Sequence, residues 1–345
     1  MPGERTLREI LEQPEAWAAA IRSFDAAIPV LDRLFRKRNP DEVIFTGCGS
    51  SYYMSLTAAA AFQQLGGVRA KAVPASEVLQ FPECVFVPGA RPLLIASSRS
   101  GTTTETLRAL KAARRRGIAT LSLTCASRSP LARDADLCIL SPKGREASVV
   151  MTKSFSSLLL LGLLLAAHRG TGRVHRAELR RLPTLGKRVI KVALALAADL
   201  GAEAARFVFL GAGPAHGIAV EAMLKMTEMA QRSAVAYHPL EFRHGPIAVA
   251  GPGTVVVLFG TRAGARLEAD LIRDFHRLGA MVIGLRDGWR GAPEPDVDVD
   301  LNVRLSDEAR CLLYVPFAQA LAYHRSVGAG LDPDRPRYLT PVVHL

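Results

Sequence analysis

The chain has 345 residues, of which 49% are hydrophobic and 22% charged; this excludes an intrinsically disordered chain and leaves room for two cores. Its formal net charge is +12, but the basic residues are dispersed. The one dense cluster, Lys111, Arg114, Arg115 and Arg116, ends an amphipathic helical pattern where cations complement the helix dipole, and no RNA- or DNA-reading motif accompanies it, so an anionic small molecule is expected and a nucleic acid is not.

Residues 1–39 read as an N-terminal helical segment, and MPGERTLREILEQPEAW holds no apolar leader, so no signal peptide is expected. From residue 40, strand-like apolar runs alternate with helical patterns: strands at 43–46, 93–97, 119–124 and 137–140, helices at 52–65, 104–116 and 154–168. The longest apolar run, 155–167, falls short of the roughly 20 residues a membrane span needs and reads as a buried helix. An Arg-rich stretch from 169 to about 188, with Gly170, Gly172, Pro183 and Gly186, reads as a connector. The pattern then restarts, with strands at 207–210, 254–259 and 281–285 and helices at 218–232, 267–278 and about 309–327, before a Pro-rich tail. This alternation predicts α/β architecture with parallel βαβ units, duplicated as residues 40–170 and 191–328 around a connector at 171–190, with a tail at 329–345. Cys48, Cys84, Cys125, Cys138 and Cys311 show no CxxC or Cys/His metal spacing, which suits a cytoplasmic protein with reduced thiols and no metal.

Chemistry concentrates in three places. Ser97-Ser98-Arg99-Ser100-Gly101-Thr102-Thr103-Thr104-Glu105 follows a strand and opens a helix; hydroxyls and backbone N–H groups around a glycine at a helix start suit a phosphate, the alternative being a capping box from Thr102 to Glu105. Gly47-Cys48-Gly49-Ser50-Ser51 occupies the end of another strand, the side on which open α/β sheets bind ligands. In the 218–232 helix, Ala219, Ala222, Met223, Met226, Met229 and Ala230 make an apolar face, with Glu221, Lys225 and Glu228 as a polar stripe roughly opposite. That stripe is either an exposed Glu–Lys pair or an acid–base set. His244, before Gly245-Pro246, lies on a tight turn and is either a surface residue or a group projecting into a cleft.

Taken in order, GCGSS (47–51), SSRSGTTTET (97–106), GREASVVMTKSF (144–155), LGAG (210–213), EAMLKMTE (221–228), EFRHGP (241–246) and PFAQALAYHRSVGAGLDPDRPRYL (316–339) resemble the double-SIS-domain phosphosugar isomerase family. That family includes the isomerase part of glucosamine-6-phosphate synthase, the glutamine–fructose-6-phosphate aminotransferase. The resemblance implies two tandem SIS domains, each a mainly parallel sheet flanked by helices, acting on a phosphorylated sugar without cofactor or metal, in a homodimer away from membranes. It assigns phosphate or sugar contacts to Ser98, Arg99, Ser100, Thr103, Ser50 and Ser51, and a backbone contact to Val149. Glu228 would move a proton between C1 and C2 with Lys225 and Glu221 beside it, His244 from a neighbouring subunit would open the ring, and Glu146 would be a further active-site carboxylate.

Departures from that pattern shift the expected reaction. Residue 2 is Pro2, where a glutaminase would carry its cysteine; Pro341 stands where the synthase carries a Schiff-base lysine; Thr102 replaces a glutamate and Met151 a serine. An amino-sugar-phosphate deaminase or isomerase is therefore expected first, followed by a fructosamine-6-phosphate deglycase and a tagatose-type ketose/aldose isomerase. A non-catalytic phosphosugar sensor would need the hydroxyl-rich turn but not Glu228, Lys225 and His244, and residues 1–39 are not expected to form a DNA-binding segment. Residues 258–264 (LFGTRAG) lack the hydroxyls of their counterpart, so one phosphate site per chain is expected.

Overall fold

The computed structural model describes residues 2–170, 173–288 and 293–340, and its central strands fall on short segments rich in apolar residues. Two bodies are formed, one by residues 12–184 and the other by residues 185–338 with helix α1 (Glu4–Leu11). The first contains α2 (Gln13–Arg38), β1 (Glu42–Gly47), α3 (Ser50–Gly66), β2 (Arg69–Pro74), α4 (Ala75–Gln80), α5 (Pro82–Val85) and β3 (Pro92–Ser98). It continues with α6 (Thr104–Arg115), β4 (Ala119–Thr124), α7 (Pro130–Asp134), β5 (Leu137–Leu140), α8 (Lys153–Arg169) and the start of α9 (Arg173–Ala197). The second contains β6 (Arg206–Gly211), α10 (Ala215–Ala230), β7 (Ser233–Tyr237), α11 (Pro239–Phe242), β8 (Thr254–Phe259), α12 (Ala265–Leu278), β9 (Met281–Arg286), β10 (Val297–Asp300) and α13 (Asp307–Gly328).

The two sheets repeat one topology, β2-β1-β3-β4-β5 and β7-β6-β8-β9-β10, and every strand pair is parallel. A parallel strand covered by helices on both faces is largely apolar; β1, β3, β4 and β8 are buried at every residue, their polar members being mostly small Thr and Ser side chains. Ile44, Leu94, Ala109 and Val78 join one core, and Val208, Val256, Leu271, Phe275 and Val282 the other. In a 2-1-3-4-5 sheet the strand order reverses between the first and third strands, which opens the ligand crevice at their carboxyl ends. Each body has its own such crevice, which receives the turns after β1 and β3 in the first and those after β6 and β8 in the second.

Three strands escaped the sequence reading: β2 (RAKAVP), β7 (SAVAY) and β10 (VDVD). All three are sheet edges, largely half-buried or exposed, so no continuous apolar run marks them. The stretch expected to connect the two bodies is largely helical, for α9 runs through most of it and encloses Pro183. Leu179, Leu182, Val189, Ile190, Ala193 and Ala197 are buried along it at helical spacing, and that stripe outweighs the breakers. Helix α8 is buried from Lys153 to Ala167 and packs on α2 and α3. Among the described residues no helix is long and apolar enough to cross a membrane.

Candidate functional site

In the first body β3 delivers Ser98 to the start of a turn that ends at Thr103, and α6 begins at Thr104. Gly101 sits at φ +65, and a Cβ there would lie 2.1 Å from Ser129 Oγ, so only glycine fits. The turn's hydroxyls face one another: Ser98 Oγ accepts the Gly101 N–H at 3.1 Å and meets Thr103 Oγ1 at 3.1 Å. Ser100 Oγ accepts from Thr102 N at 3.2 Å and Thr102 Oγ1 at 3.0 Å. The helix does not use the capping box that Thr102 and Glu105 could form. Its N-cap is Thr103, whose side chain accepts no N–H from the first turn, leaving the positive end of the α6 dipole beside the hydroxyls.

Arg99 ties this turn to residues 146–154. Its carbonyl accepts from Cys125 N and Thr124 Oγ1, both at 3.3 Å, while its guanidinium lies 3.4 Å from Glu146 Oε2 and donates to the carbonyls of Ser148 (3.3 Å) and Val150 (3.4 Å). Val149 is the half-buried residue between those two carbonyls. The Glu146 side chain is fully buried. It accepts from Thr152 N at 2.6 Å, Thr152 Oγ1 at 2.8 Å, Ser154 N at 3.1 Å and Ser154 Oγ. A carboxylate so saturated anchors a loop. Ser50 and Ser51, buried at the start of α3, follow Gly49 at φ +53, and Ser51 Oγ donates to Met151 Sδ at 3.9 Å. The first body thus gathers Ser51, Arg99, Glu146 and Val149 around one loop, with Ser98, Ser100 and Thr103 on the adjoining turn.

Glu221, Lys225, Glu228 and His244 belong to the second body. Helix α10 packs between α13 and strands β6 and β7, so its polar stripe points inward. Glu221 is 2% exposed and Lys225 0%, which overturns the exposed-pair alternative. Lys225 Nζ stands 3.3 Å from Glu221 Oε1 and 2.6 Å from Glu228 Oε2, and the Glu228 side chain keeps 20% exposure. Burial pulls the Lys225 ammonium down, but the two carboxylates outweigh it and its pKa is raised, so it stays charged. Two carboxylates around one ammonium leave a net negative charge, with Glu228 as the member that reaches solvent. The sequence signal for this burial was the flanking Ala222, Leu224 and Met226, which make α10 apolar nearly all round. His244 follows α11, its N–H donating to Glu241 O at 3.0 Å. Its ring is exposed and, among the described residues, hydrogen-bonds none of the α10 trio.

The second body has a counterpart to the hydroxyl-rich turn, since Phe259 pairs with Leu285 as Ser97 pairs with Leu123. There the chain's own carboxylates take the N–H groups. Glu268 accepts from Thr261 N at 3.3 Å and Thr261 Oγ1 at 3.2 Å, and Asp307 accepts from Arg262 N at 2.9 Å and Ala263 N at 3.4 Å. Burial pushes Glu268 up to about 7 against the pull of the Thr261 bonds. Sequence reading found the missing hydroxyls but not these substitutes, which lie four residues into α12 and at the start of α13. All five cysteines are free, and among the described residues no group of three or more His, Cys, Asp or Glu is placed to hold a metal. Pro341 lies outside the described residues.

The model of the SIS domain family matches residues 37–168 and 202–323. A glutamine–fructose-6-phosphate aminotransferase from Pyrobaculum aerophilum is 32% identical over 98% of this chain, which spans 57% of that relative's length. The crystal structure of a glucosamine-6-phosphate deaminase from Thermotoga maritima superposes with a TM-score of 0.84 at 31% identity, covering 99% of this chain and 100% of the other. A tagatose-6-phosphate ketose/aldose isomerase from Escherichia coli reaches a TM-score of 0.86 at 23% identity over 100% of this chain and 98% of its own, a likeness of fold.

Proposed function

Because the chain belongs to the SIS-domain family and carries two copies of that domain, we propose that it is an enzyme of the sugar-phosphate isomerase type. Its substrate is an amino-sugar or ketose 6-phosphate, and its chemistry is proton transfer between C1 and C2. The phosphoryl group is taken by the hydroxyls of Ser98, Ser100 and Thr103 and by the α6 N-terminus, with Ser50, Ser51 and the Val149 backbone serving phosphate or sugar hydroxyls. Arg99, clasped to Glu146, keeps the turn and the loop in register. His244 moves the proton that opens the ring, and its exposure on a single chain suits delivery to a second copy in a homodimer. Glu228 then removes the carbon-bound proton from one carbon of the open-chain sugar and returns it to the neighbour, while Lys225, held by Glu221, stabilises the enediol or enamine oxyanion. With an amino group on C2 the resulting ketimine takes up water and releases ammonia, giving the ketose phosphate. Deamination ranks first because the Thermotoga maritima protein named a glucosamine-6-phosphate deaminase is matched along its whole length.

The observation that carries this reading is the buried Glu221–Lys225–Glu228 set. Desolvating three charges is unfavourable by several kcal/mol per ion before pairing offsets it, and a phosphosugar sensor has no need of them. Hexose, hexosamine and fructosamine 6-phosphates incubated in D2O and followed by NMR test the proposal: solvent deuterium enters C1 or C2 of the substrate taken, and ammonia or amino-acid release separates deamination, deglycation and isomerisation. Glu228→Gln lowers turnover about a hundred- to ten-thousand-fold while phosphosugar affinity stays nearly unchanged. Equal loss of both would instead mark a binding or structural role.

A further inference from the structure

The second residue of α10, His216, stacks on His238, with ring centroids 3.7 Å apart and planes within 13°. His238 immediately precedes α11, and its carbonyl accepts the Phe242 N–H at 3.0 Å. Two residues beyond α11 stands His244, followed by Gly245 at φ +122. One side of this short segment is moored to α12, for Phe242 is buried against Phe275 and Arg243 lies 2.6 Å from Asp274. The histidine stack moors the other side to α10, the helix that carries Glu221, Lys225 and Glu228.

We propose that His216 is a positioning residue, whose ring, stacked on His238, fixes the segment ending in the His244 turn with respect to the acid–base helix. The inference rests on the reading of His244 given above. A ring contact of this kind requires a flat partner but no titration. Burial, aided by the field of His238, brings His216 down to about 4, so at neutral pH it is an uncharged plate with no proton to supply.

The test compares wild-type chain, His216→Ala and His216→Phe, the last keeping a flat ring without the ring nitrogens. Amide hydrogen exchange is read by mass spectrometry over residues 238–245. Turnover is followed on whichever sugar 6-phosphate the wild type converts. His216→Ala speeds exchange of the Phe242–His244 amides at least about tenfold and lowers kcat about tenfold with KM within about twofold. His216→Phe stays within about twofold of wild type in both readouts, and the acid limb of the pH profile does not move in either variant. Unchanged exchange in His216→Ala overturns the proposal, as does loss of turnover in His216→Phe equal to that of His216→Ala, which would make the ring a proton carrier. If the wild type converts no sugar phosphate, the reading of the site fails, and exchange alone still decides whether His216 holds the turn.

Discussion

Glu268 should make the stability of the second body depend on pH. The residue is 4% exposed, its carboxyl accepts, among the described residues, from Thr261 alone at 3.3 and 3.2 Å, and burial pushes it from its ordinary 4.5 to about 7. The folded state therefore holds this proton more tightly than the unfolded chain does. The stability that goes with the neutral carboxyl is fully present below pH 4.5 and is lost as pH rises through about 7. Each tenfold change in proton affinity corresponds to about 1.4 kcal/mol, so ionising Glu268 in place costs about 3 kcal/mol. Glu268→Gln removes the charge and keeps an acceptor for the Thr261 N–H. Its stability should match wild type at pH 4.5 and exceed it by about 3 kcal/mol at pH 8.5, a rise of roughly 6–12 °C in the midpoint of a body this size. Calorimetric unfolding of both proteins across that range gives the difference directly. A difference that is flat with pH, or that favours wild type at alkaline pH, would show that the carboxyl is ionised and well solvated, and the account of this turn would be wrong.

Ser100→Ala removes a hydroxyl that already accepts two hydrogen bonds within the turn. It should weaken phosphorylated sugars about 10- to 100-fold, the worth of a hydrogen bond to a charged group, and leave their dephosphorylated forms unaffected in calorimetric titration. Lys225→Met strands two carboxylates, one of them 2% exposed, and should destabilise the second body by about 3–5 kcal/mol at neutral pH. Chemical denaturation of the variant and the wild type measures that loss.

How much of this was legible in the sequence depends on where each residue's neighbours lie along the chain. β4 at 119–124 and β8 at 254–259 match the sequence reading residue for residue, because a strand covered on both faces excludes charge: β8 is apolar after Thr254, and β4 alternates apolar residues with small hydroxyls. The edge strands β2, β7 and β10 write nothing comparable, since solvent takes one of their sides. The hydroxyl-rich turn was legible because its donors are consecutive and Gly101 must be glycine to clear Ser129. Lys225 was legible as a residue type, and its apolar flanks signal burial, but α13, the helix packed on α10, lies more than 80 positions away. The same distance hides the carboxylates that fill the second turn, where Asp307 takes the N–H groups of Arg262 and Ala263.

This last pair also explains how two bodies of one topology come to differ in chemistry. A turn between a parallel strand and a helix presents several N–H groups to one point whatever its sequence, and those groups need an acceptor once water is excluded. In the first body the acceptors are hydroxyls, uncharged and able to rotate, so an incoming phosphate can replace them as partner without displacing a charge. In the second, Glu268 and Asp307 are built into the turn's own hydrogen bonds, and a phosphate would have to displace these carboxyl groups. Asp307 is further held by Arg310 Nη1 at 2.6 Å, and Arg310 Nε reaches Asp287 Oδ2 at 3.4 Å, so withdrawing it would strip a buried guanidinium of a partner as well. The duplicated turn has thus become a structural joint that fastens the start of α13, the helix packed along α10.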